Sequence, residues 1–304
     1  MKLKSRKSGR SWADTCVLAA TWLLVAWPSF AAEPPPLPPL TSVPNSPRLP
    51  GKFVWADLVT DDVRAARQFY GQLFNWTFRD MGGYLIAAND ERPVCGIFHR
   101  SRPTGRPEAT PRWFGYISVG NVEKTQRAVT EAGGRVLAAP RKLPGRGEQA
   151  VFADAEGALF GVVKSSAGDP PDFLADPGDW IWIQLLTRDA QKASGFYRTV
   201  AGYEIIENTT AGRLSDYVLA SKGYARATVR TIPAGKEKTQ PTWLPFVRVK
   251  SIVESLAQAK RLGGKVVIEP KPELIQGKAA VISDPTGAAI GLLEWSEALM
   301  KGGR

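Results

Sequence analysis

The sequence predicts an α+β fold of four strand-helix-strand-strand-strand units arranged as two tandem domains, and three observations predict it. The stretch "FVWADLVTDDVRAARQFYGQLFNW" (Phe53 to Trp76) returns as "WIWIQLLTRDAQKASGFYRTVAGY" (Trp180 to Tyr203). A shift of 127 residues aligns Trp55 with Trp182, Leu58 with Leu185, Asp62 with Asp189 and Phe69-Tyr70 with Phe196-Tyr197. A different stretch repeats at a shift of 130 residues, carrying Trp113, Gly133-Gly134, Val136, Asp154, Gly157 and Gly161 onto Trp243, Gly263-Gly264, Val266, Asp284, Gly287 and Gly291. Within each copy, alternating apolar residues give way to helical spacing and then to short alternating runs.

Taken in order, the chain opens on Lys2, Lys4, Arg6, Lys7 and Arg10, then the apolar run "CVLAATWLLVAW", then small residues at Ser29 and Ala31. That succession predicts a secretory signal peptide over residues 1–31, cleaved near Ala31, and hence a periplasmic or secreted protein. The apolar run is short for a bilayer span, so a retained anchor is the weaker alternative. Residues 32–52, "AEPPPLPPLTSVPNSPRLPGK", predict an extended proline-rich tether that packs little. The first unit starts with a strand at Phe53 to Thr60 and an amphipathic helix presenting Val63, Ala66, Phe69, Tyr70 and Phe74 on one face, followed by strands in "WTFRD", "YLIAA" and "VCGIFH". The second has a strand at "PRWFGYISV", a helix from about Val122 to Ala132 stopped by Gly133-Gly134, and strands in "RVLAA", "QAVFAD" and "LFGVVK". These make a first domain over 53–164. A joint over 165–179 precedes a second domain over 180–296 built of the copies. Each unit can cover one sheet face with its helix, so the other face is either buried against a second unit or left open as a cup.

Composition narrows the function. The chain carries a net charge of +11, and loss of residues 1–31 removes five Lys/Arg and one Asp, leaving +7. This excess reads as solubility charge, with anionic ligands or association with the envelope surface as the alternative. No dense Lys/Arg block interleaved with aromatics follows residue 31, which argues against nucleic acid. Cleavage would leave Cys95 as the single cysteine, so no internal disulfide holds the mature fold. The single histidine, His99, excludes zinc sites built on several histidines, and no Ser-His-Asp or Cys-His spacing is read in the chain. The turns "DAEGAL" and "DPTGAA" do not open helices and are no phosphate loops.

The repeated "VTDDVRAARQFYGQLFNW" and "LTRDAQKASGFYRTVAGY", the paired Gly-Gly helix stops, and "DAEGALFGVV" with "DPTGAAIGLLEW" resemble the vicinal oxygen chelate superfamily, which includes glyoxalase I, extradiol dioxygenases and bleomycin-resistance proteins. The resemblance covers Phe53 to Trp295. It implies βαβββ modules whose curved mixed sheets form ligand-receiving cups, in two glyoxalase/bleomycin-resistance-like domains. It also implies a divalent metal held by His, Gln or Glu on the first and last strands of the modules, since Lewis-acid chemistry on vicinal oxygens needs such donors. Counted from the repeats, the first-strand positions fall on Trp55, Phe114, Trp182 and Leu244, and the last-strand positions on Gly96, Gly161, Ala227 and Gly291. None of these carries a metal donor, so the sequence predicts no metal and no other cofactor.

Strand alternation selects the residues that line the cups. Trp55 and Asp57 share a face, as do Trp182 and Gln184, Phe114 with Tyr116 and Ser118, and Phe246 with Arg248. These nine are the candidate ligand-binding residues; no catalytic residue is assigned. Asp57 has two readings: a partner for a ligand cation or a general base, and a structural carboxylate, either paired with a cation such as Arg248 if the first and fourth units pair or exposed at the cup mouth. The indoles either stack on a flat ligand or plug the cup, lying over the glycines. If Gly96 faces the cup, Cys95 and His99 face away, one as buried filler and the other at the strand exit. The leading expectation is an exported, metal-independent protein that binds a small aromatic or amphipathic molecule in a Trp-lined cup. A glyoxalase-like lyase or dioxygenase-like enzyme, and a structural module at the cell envelope, are the alternatives.

Overall fold

The computed structural model describes residues 36–100, 110–209 and 215–295. The expected signal peptide (1–31), the first tether residues (32–35) and residue 296 of the second domain lie outside the described residues. The first unit comprises β1 (Phe53–Thr60), α1 (Val63–Phe74), β2 (Thr77–Asp80), β3 (Tyr84–Asn89) and β4 (Arg92–His99). The second comprises β5 (Arg112–Ser118), α2 (Val122–Glu131), β6 (Arg135–Leu143), β7 (Gly147–Ala153) and β8 (Leu159–Ser165). The third has β9 (Trp180–Thr187), α3 (Ala190–Ala201), β10 (Glu204–Glu207), β11 (Tyr217–Ser221) and β12 (Tyr224–Thr231). The fourth has β13 (Thr242–Val249), α4 (Ile252–Arg261), β14 (Lys265–Ile268), β15 (Ala279–Ser283) and β16 (Ala289–Glu294). Each α-helix starts where a short polar side chain, Asp62, Asn121, Asp189 or Ser251, accepts the amide three residues on, satisfying a donor that the first turn leaves over. No helix among the described residues is long and apolar enough to cross a membrane.

Two eight-stranded sheets result, ordered β2-β3-β4-β1-β5-β8-β7-β6 and β10-β11-β12-β9-β13-β16-β15-β14. Neighbouring units are joined through their first strands: β1 runs antiparallel to β5 and β9 to β13. Each last strand lies parallel to its own unit's first strand, with Asp57 opposite Gly96 and Tyr116 opposite Gly161. Either adjacent or crosswise pairing of units was compatible with the sequence, and the fold uses both at different levels. Adjacent units make each sheet, while crosswise units share a core behind it. Phe69, Tyr70 and Phe74 of the first unit pack with Leu256, Ile282 and Ile290 of the fourth. Val129, Phe152 and Phe160 of the second pack with Phe196, Tyr197 and Val200 of the third. The helices therefore face inward between the sheets, and the two concave faces point outward.

Two matched polar chains cross this core. Trp113 Nε1 donates to Tyr70 Oη (2.9 Å), which donates to Asp284 Oδ2 in the other domain (3.0 Å). Trp243 Nε1 donates to Tyr197 Oη (2.8 Å), which donates to Asp154 Oδ2 (3.0 Å). The aspartates sit in the "DPTG" and "DAEG" turns and also accept the backbone amides of Ala288 and Ala158. All six side chains are buried, so each polar atom depends on its partner.

The tether departs from the expected loosely packed linker. Its base is stitched down: Ser46 Oγ donates to Asp169 O, Arg48 to Ser165 O, Tyr203 Oη to Gly51 O and Ser221 Oγ to Pro50 O. Lys52 reaches Asp172, which also pairs with Arg226 of β12. Its tip runs across the concave face of the first sheet. Leu37 N donates to Pro144 O, and Leu40 is buried among Trp55, Phe114 and Tyr116, a contact worth ~2 kcal/mol. Prolines remove backbone freedom from the unfolded chain, so this strap loses less entropy on docking than its length suggests. The joint over 165–179 is likewise fixed, with Asp179 accepting from Asn89 and Arg92 at the end of the β3–β4 hairpin.

Replacing Tyr70 by Phe leaves the Trp113 indole N–H without its acceptor and Asp284 without one donor. We expect a loss of about 2 kcal/mol in urea unfolding, with Tyr197→Phe matching it. Losses under about 0.5 kcal/mol in both would deny the two chains a part in stability.

Candidate functional site

The concave face of the first sheet is closed. Asp57, 1% exposed, sits on β1 beneath three donors. Its Oδ1 accepts from Tyr84 Oη (2.6 Å) and Trp55 Nε1 (2.9 Å), and its Oδ2 from Tyr116 Oη (2.8 Å). Arg146, in the β6–β7 turn and 2% exposed, lays its guanidinium over the Trp55 ring at 4.2 Å. Its Nε donates to Pro38 O of the strap at 2.9 Å, while its Nη2 is buried with no partner among the described residues. Burial pushes the Asp57 carboxyl above the ordinary aspartate range; the two tyrosines, Arg146 and Trp55 pull the other way without cancelling it. Burial, and then the neighbouring Asp57 charge, drives Tyr84 and Tyr116 well above the usual phenol range. These phenols are donors here and not bases. Phe114 packs against Tyr116, and Ser118 at the rim donates to Asp169 of the joint.

Asp57 is therefore held by hydrogen bonds, with Arg146 as the nearby charge. The suggested partner Arg248 belongs to the other cup, because the first unit pairs with the second. Tyr84 and Arg146 are contributors that alternation arguments confined to first strands missed. Tyr84 shares its strand face with Ile86, a buried member of the same cup, and that alternation was the available signal. Arg146 stands in "LPGRGE", where a cation between glycines looks like a surface turn.

The concave face of the second sheet carries the same plan in a more open form. Trp182 and Gln184 on β9, and Phe246 and Arg248 on β13, are half-buried. Trp182 Nε1 and Gln184 Nε2 both donate to Thr228 Oγ1 on β12, at 3.0 and 3.3 Å. Arg248 Nη1 donates to Ala175 O of the joint, and its Nε is buried with no partner among the described residues. On the edge strands Ile206 and Ile268 are substantially exposed. Alternation along β12 puts Arg226 and Arg230 on the face of Thr228, so guanidinium groups flank an aromatic floor. The candidate residues thus separate into two groups. Trp55, Asp57, Phe114, Tyr116 and Ser118 are enclosed in the first cup, and Trp182, Gln184, Phe246 and Arg248 are accessible in the second.

One position needs correcting. Gln184 lies opposite Thr228 as Asp57 lies opposite Gly96, so the last-strand position of the third unit is Thr228. Ala227 faces the opposite way, into the core beneath α3. The glycines have aromatic cover, but from Tyr and Phe rather than Trp. A side chain at Gly161 would collide with the Tyr116 ring, at Gly291 with the Phe246 ring, and at Gly96 with Tyr84 Oη and the Asp57 carboxylate. Cys95 is buried in the core and His99 is exposed at the end of β4.

Tandem βαβββ sheets with outward cups define a class of protein, and the comparisons identify it. The family model described as Glyoxalase/Bleomycin resistance protein/Dioxygenase superfamily matches residues 52–162 and again 181–292, and the chain belongs to this family. It is 30% identical over 264 residues to the anthracycline biosynthesis protein DauV of Streptomyces sp. strain C5, covering 82% of this chain and 95% of that one. It is 29% identical to the putative glyoxylase CFP32 of Mycobacterium tuberculosis, covering 79% and 93%. Among solved structures it shares its fold with the Mn(II)-bound glyoxalase from Novosphingobium aromaticivorans (TM-score 0.53, 16% identity, 81% of this chain and 82% of that one). It likewise shares it with the 2,3-dioxygenase LapB from Pseudomonas sp. KL28 (TM-score 0.54, 12% identity, 83% and 94%).

The donor set does not fit the divalent ion that the family implies. Trp55, Phe114, Trp182 and Leu244 offer rings and an alkyl group, and Gly96, Gly161 and Gly291 offer no side chain. Thr228 Oγ1 already accepts from two donors, and the Asp57 carboxylate from three. A divalent cation would have to displace those bonds to find oxygen.

The Asp57 shift fixes a sign for pH dependence. A carboxyl raised in the folded state contributes stability that is complete below its unfolded pKa and is lost as pH rises through the folded value. We expect wild-type protein to gain stability relative to Asp57→Asn as pH falls through that window, measured by urea unfolding across a pH series. Parallel profiles would mean that Asp57 titrates as in the unfolded chain.

Proposed function

We propose that this protein binds a planar, oxygen-bearing aromatic molecule in its second cup and needs no metal to do so. The observation that carries the reading is the contrast between two cups built on one plan. The first is filled by its own side chains and the strap. The second keeps Trp182 and Phe246 half-exposed beside the amide of Gln184, the hydroxyl of Thr228 and the guanidinium of Arg248. Rings supply stacking area, and a few convergent polar groups fix orientation. The guanidinium groups of Arg248 and Arg230 suit carbonyl, phenolate or carboxylate oxygens. These are holding groups rather than a poised acid and base, which supports binding over acid–base catalysis. Relatives named for anthracycline biosynthesis support an aromatic ligand class.

We also propose export, on the basic, apolar and small-residue order of residues 1–31. Cleavage after Ala31 would leave the whole strap in the mature chain. N-terminal sequencing of the protein from the producing cell's extracytoplasmic fraction should begin at Ala32; an intact Met1 in that fraction would refute processing.

The ligand test uses 1-hydroxy-2-naphthoate in calorimetric titration. Trp182→Ala and Phe246→Ala should each weaken binding at least about tenfold, equivalent to ~1.4 kcal/mol, and prior EDTA treatment should leave the affinity unchanged. Binding that survives both substitutions, or that vanishes with EDTA and returns with Mn(II) or Zn(II), overturns the proposal.

A further inference from the structure

We infer that the first cup is a second, latent site for the same class of ligand, held shut in cis by the tip of the strap, Leu37 to Leu40. The inference extends the reading of the second cup to its twin. Three observations carry it. The first is an incomplete polar shell: Arg146 is buried over Trp55, yet its Nη2 has no partner among the described residues. A guanidinium stacked on an indole, beside phenols and a carboxylate, is what an oxygen-bearing aromatic would meet, and an acceptor is the missing piece.

The second observation is that the strap is received by a prepared seat. Gly145 has φ +79°, and a Cβ there would collide with the Leu37 carbonyl. Leu40 enters the cup as an apolar side chain would on a bound molecule, and Arg146 Nε takes the Pro38 carbonyl as its acceptor. The strap tip thus supplies part of a ligand's contacts and leaves one donor over.

The third is an uneven grip. The base from Ser46 to Lys52 is tied by many hydrogen bonds and an ion pair. Between base and tip, Thr41 to Asn45 is mostly exposed and borders an open surface depression of about 580 Å³, shared with Pro39, Arg48 and Ser166 to Gly168. The tip can therefore leave while the base stays, as a locally opening segment does. Its occupancy of the cup is a cost that a ligand must overcome, so the latent site has the lower apparent affinity.

The experiment is calorimetric titration of the full chain carrying Pro38→Gly, Pro39→Gly and Leu40→Ser with 1-hydroxy-2-naphthoate, beside the unaltered chain. The number of sites should rise from one to two, and adding Arg146→Met should remove the gained site with at least a tenfold loss of its affinity. A strap variant with native circular dichroism and no gained site overturns the inference, as does a gained site indifferent to Arg146. Trp182→Ala separates the two readings. If it abolishes binding in the unaltered chain and the strap variant still gains nothing, only the latent site falls. If the unaltered chain binds nothing while the strap variant binds through Arg146, the latent site stands and the second-cup reading falls. Hydrogen exchange in the unaltered chain gives a check that needs no variant. The Leu37 amide should exchange faster than the β5 amides and faster still with added naphthoate; exchange only through global unfolding overturns the inference.

Discussion

The structure depends on two buried indole–phenol–carboxylate chains that tie each domain to the other. In one, Trp113 and Tyr70 reach Asp284; in the other, Trp243 and Tyr197 reach Asp154. Apolar packing around α1 to α4 supplies most of the cohesion, but it is tolerant of sliding. A chain of three polar groups in a dry core is not, since any shift leaves a donor or acceptor unpaired. The tyrosines belong to the repeated Phe-Tyr pairs and the aspartates to the repeated Asp-x-x-Gly turns. The most visible repetition in the sequence is therefore the machinery of domain docking, and it leaves the cup faces free to vary.

Those faces have varied in opposite directions. On the first sheet, Asp57 is smothered by donors, and a strap covers what the side chains leave open. On the second, the corresponding Gln184 is neutral and needs no enclosing network, so the floor stays accessible. The difference follows from charge: a buried carboxylate demands several hydrogen bonds and a nearby cation, and Tyr84, Tyr116 and Arg146 supply them beneath the strap. Glycine at last-strand positions serves both cups, since Tyr116 and Phe246 can lie flat only where the facing residue has no side chain.

Much of this was legible in the sequence for physical reasons. The strands and helices follow local alternation, caps and Gly stops, and β1 occupies the residues that its alternation marks. Membership of the cups followed from parity along β1, β5, β9 and β13, which brought Trp55 to Asp57 and Trp182 to Gln184. What escaped depends on contacts distant in the chain. Leu40 looks like a spacer until the cup it enters exists, and Arg146 becomes interior only because the strap roofs its turn. Ala227 was read for Thr228 because the connection from Glu207 to Tyr217 before β11 is longer than that from Asp80 to Tyr84 before β3. The shift of 127 residues that relates β1 to β9 therefore no longer relates β4 to β12, while hydrogen-bond register is unaffected.

The crossed polar chains have a further consequence. What the first unit gives the fourth, the third gives the second, so the junction has the reciprocity of an isologous contact between identical subunits. The molecule is in effect a dimer made covalent, with the joint over 165–179 raising the effective concentration of one half for the other. Identical subunits must share every substitution and would open or close their cups together. Fusion lifts that constraint, so one cup can carry an aspartate beneath a strap while its twin keeps a glutamine at an open floor.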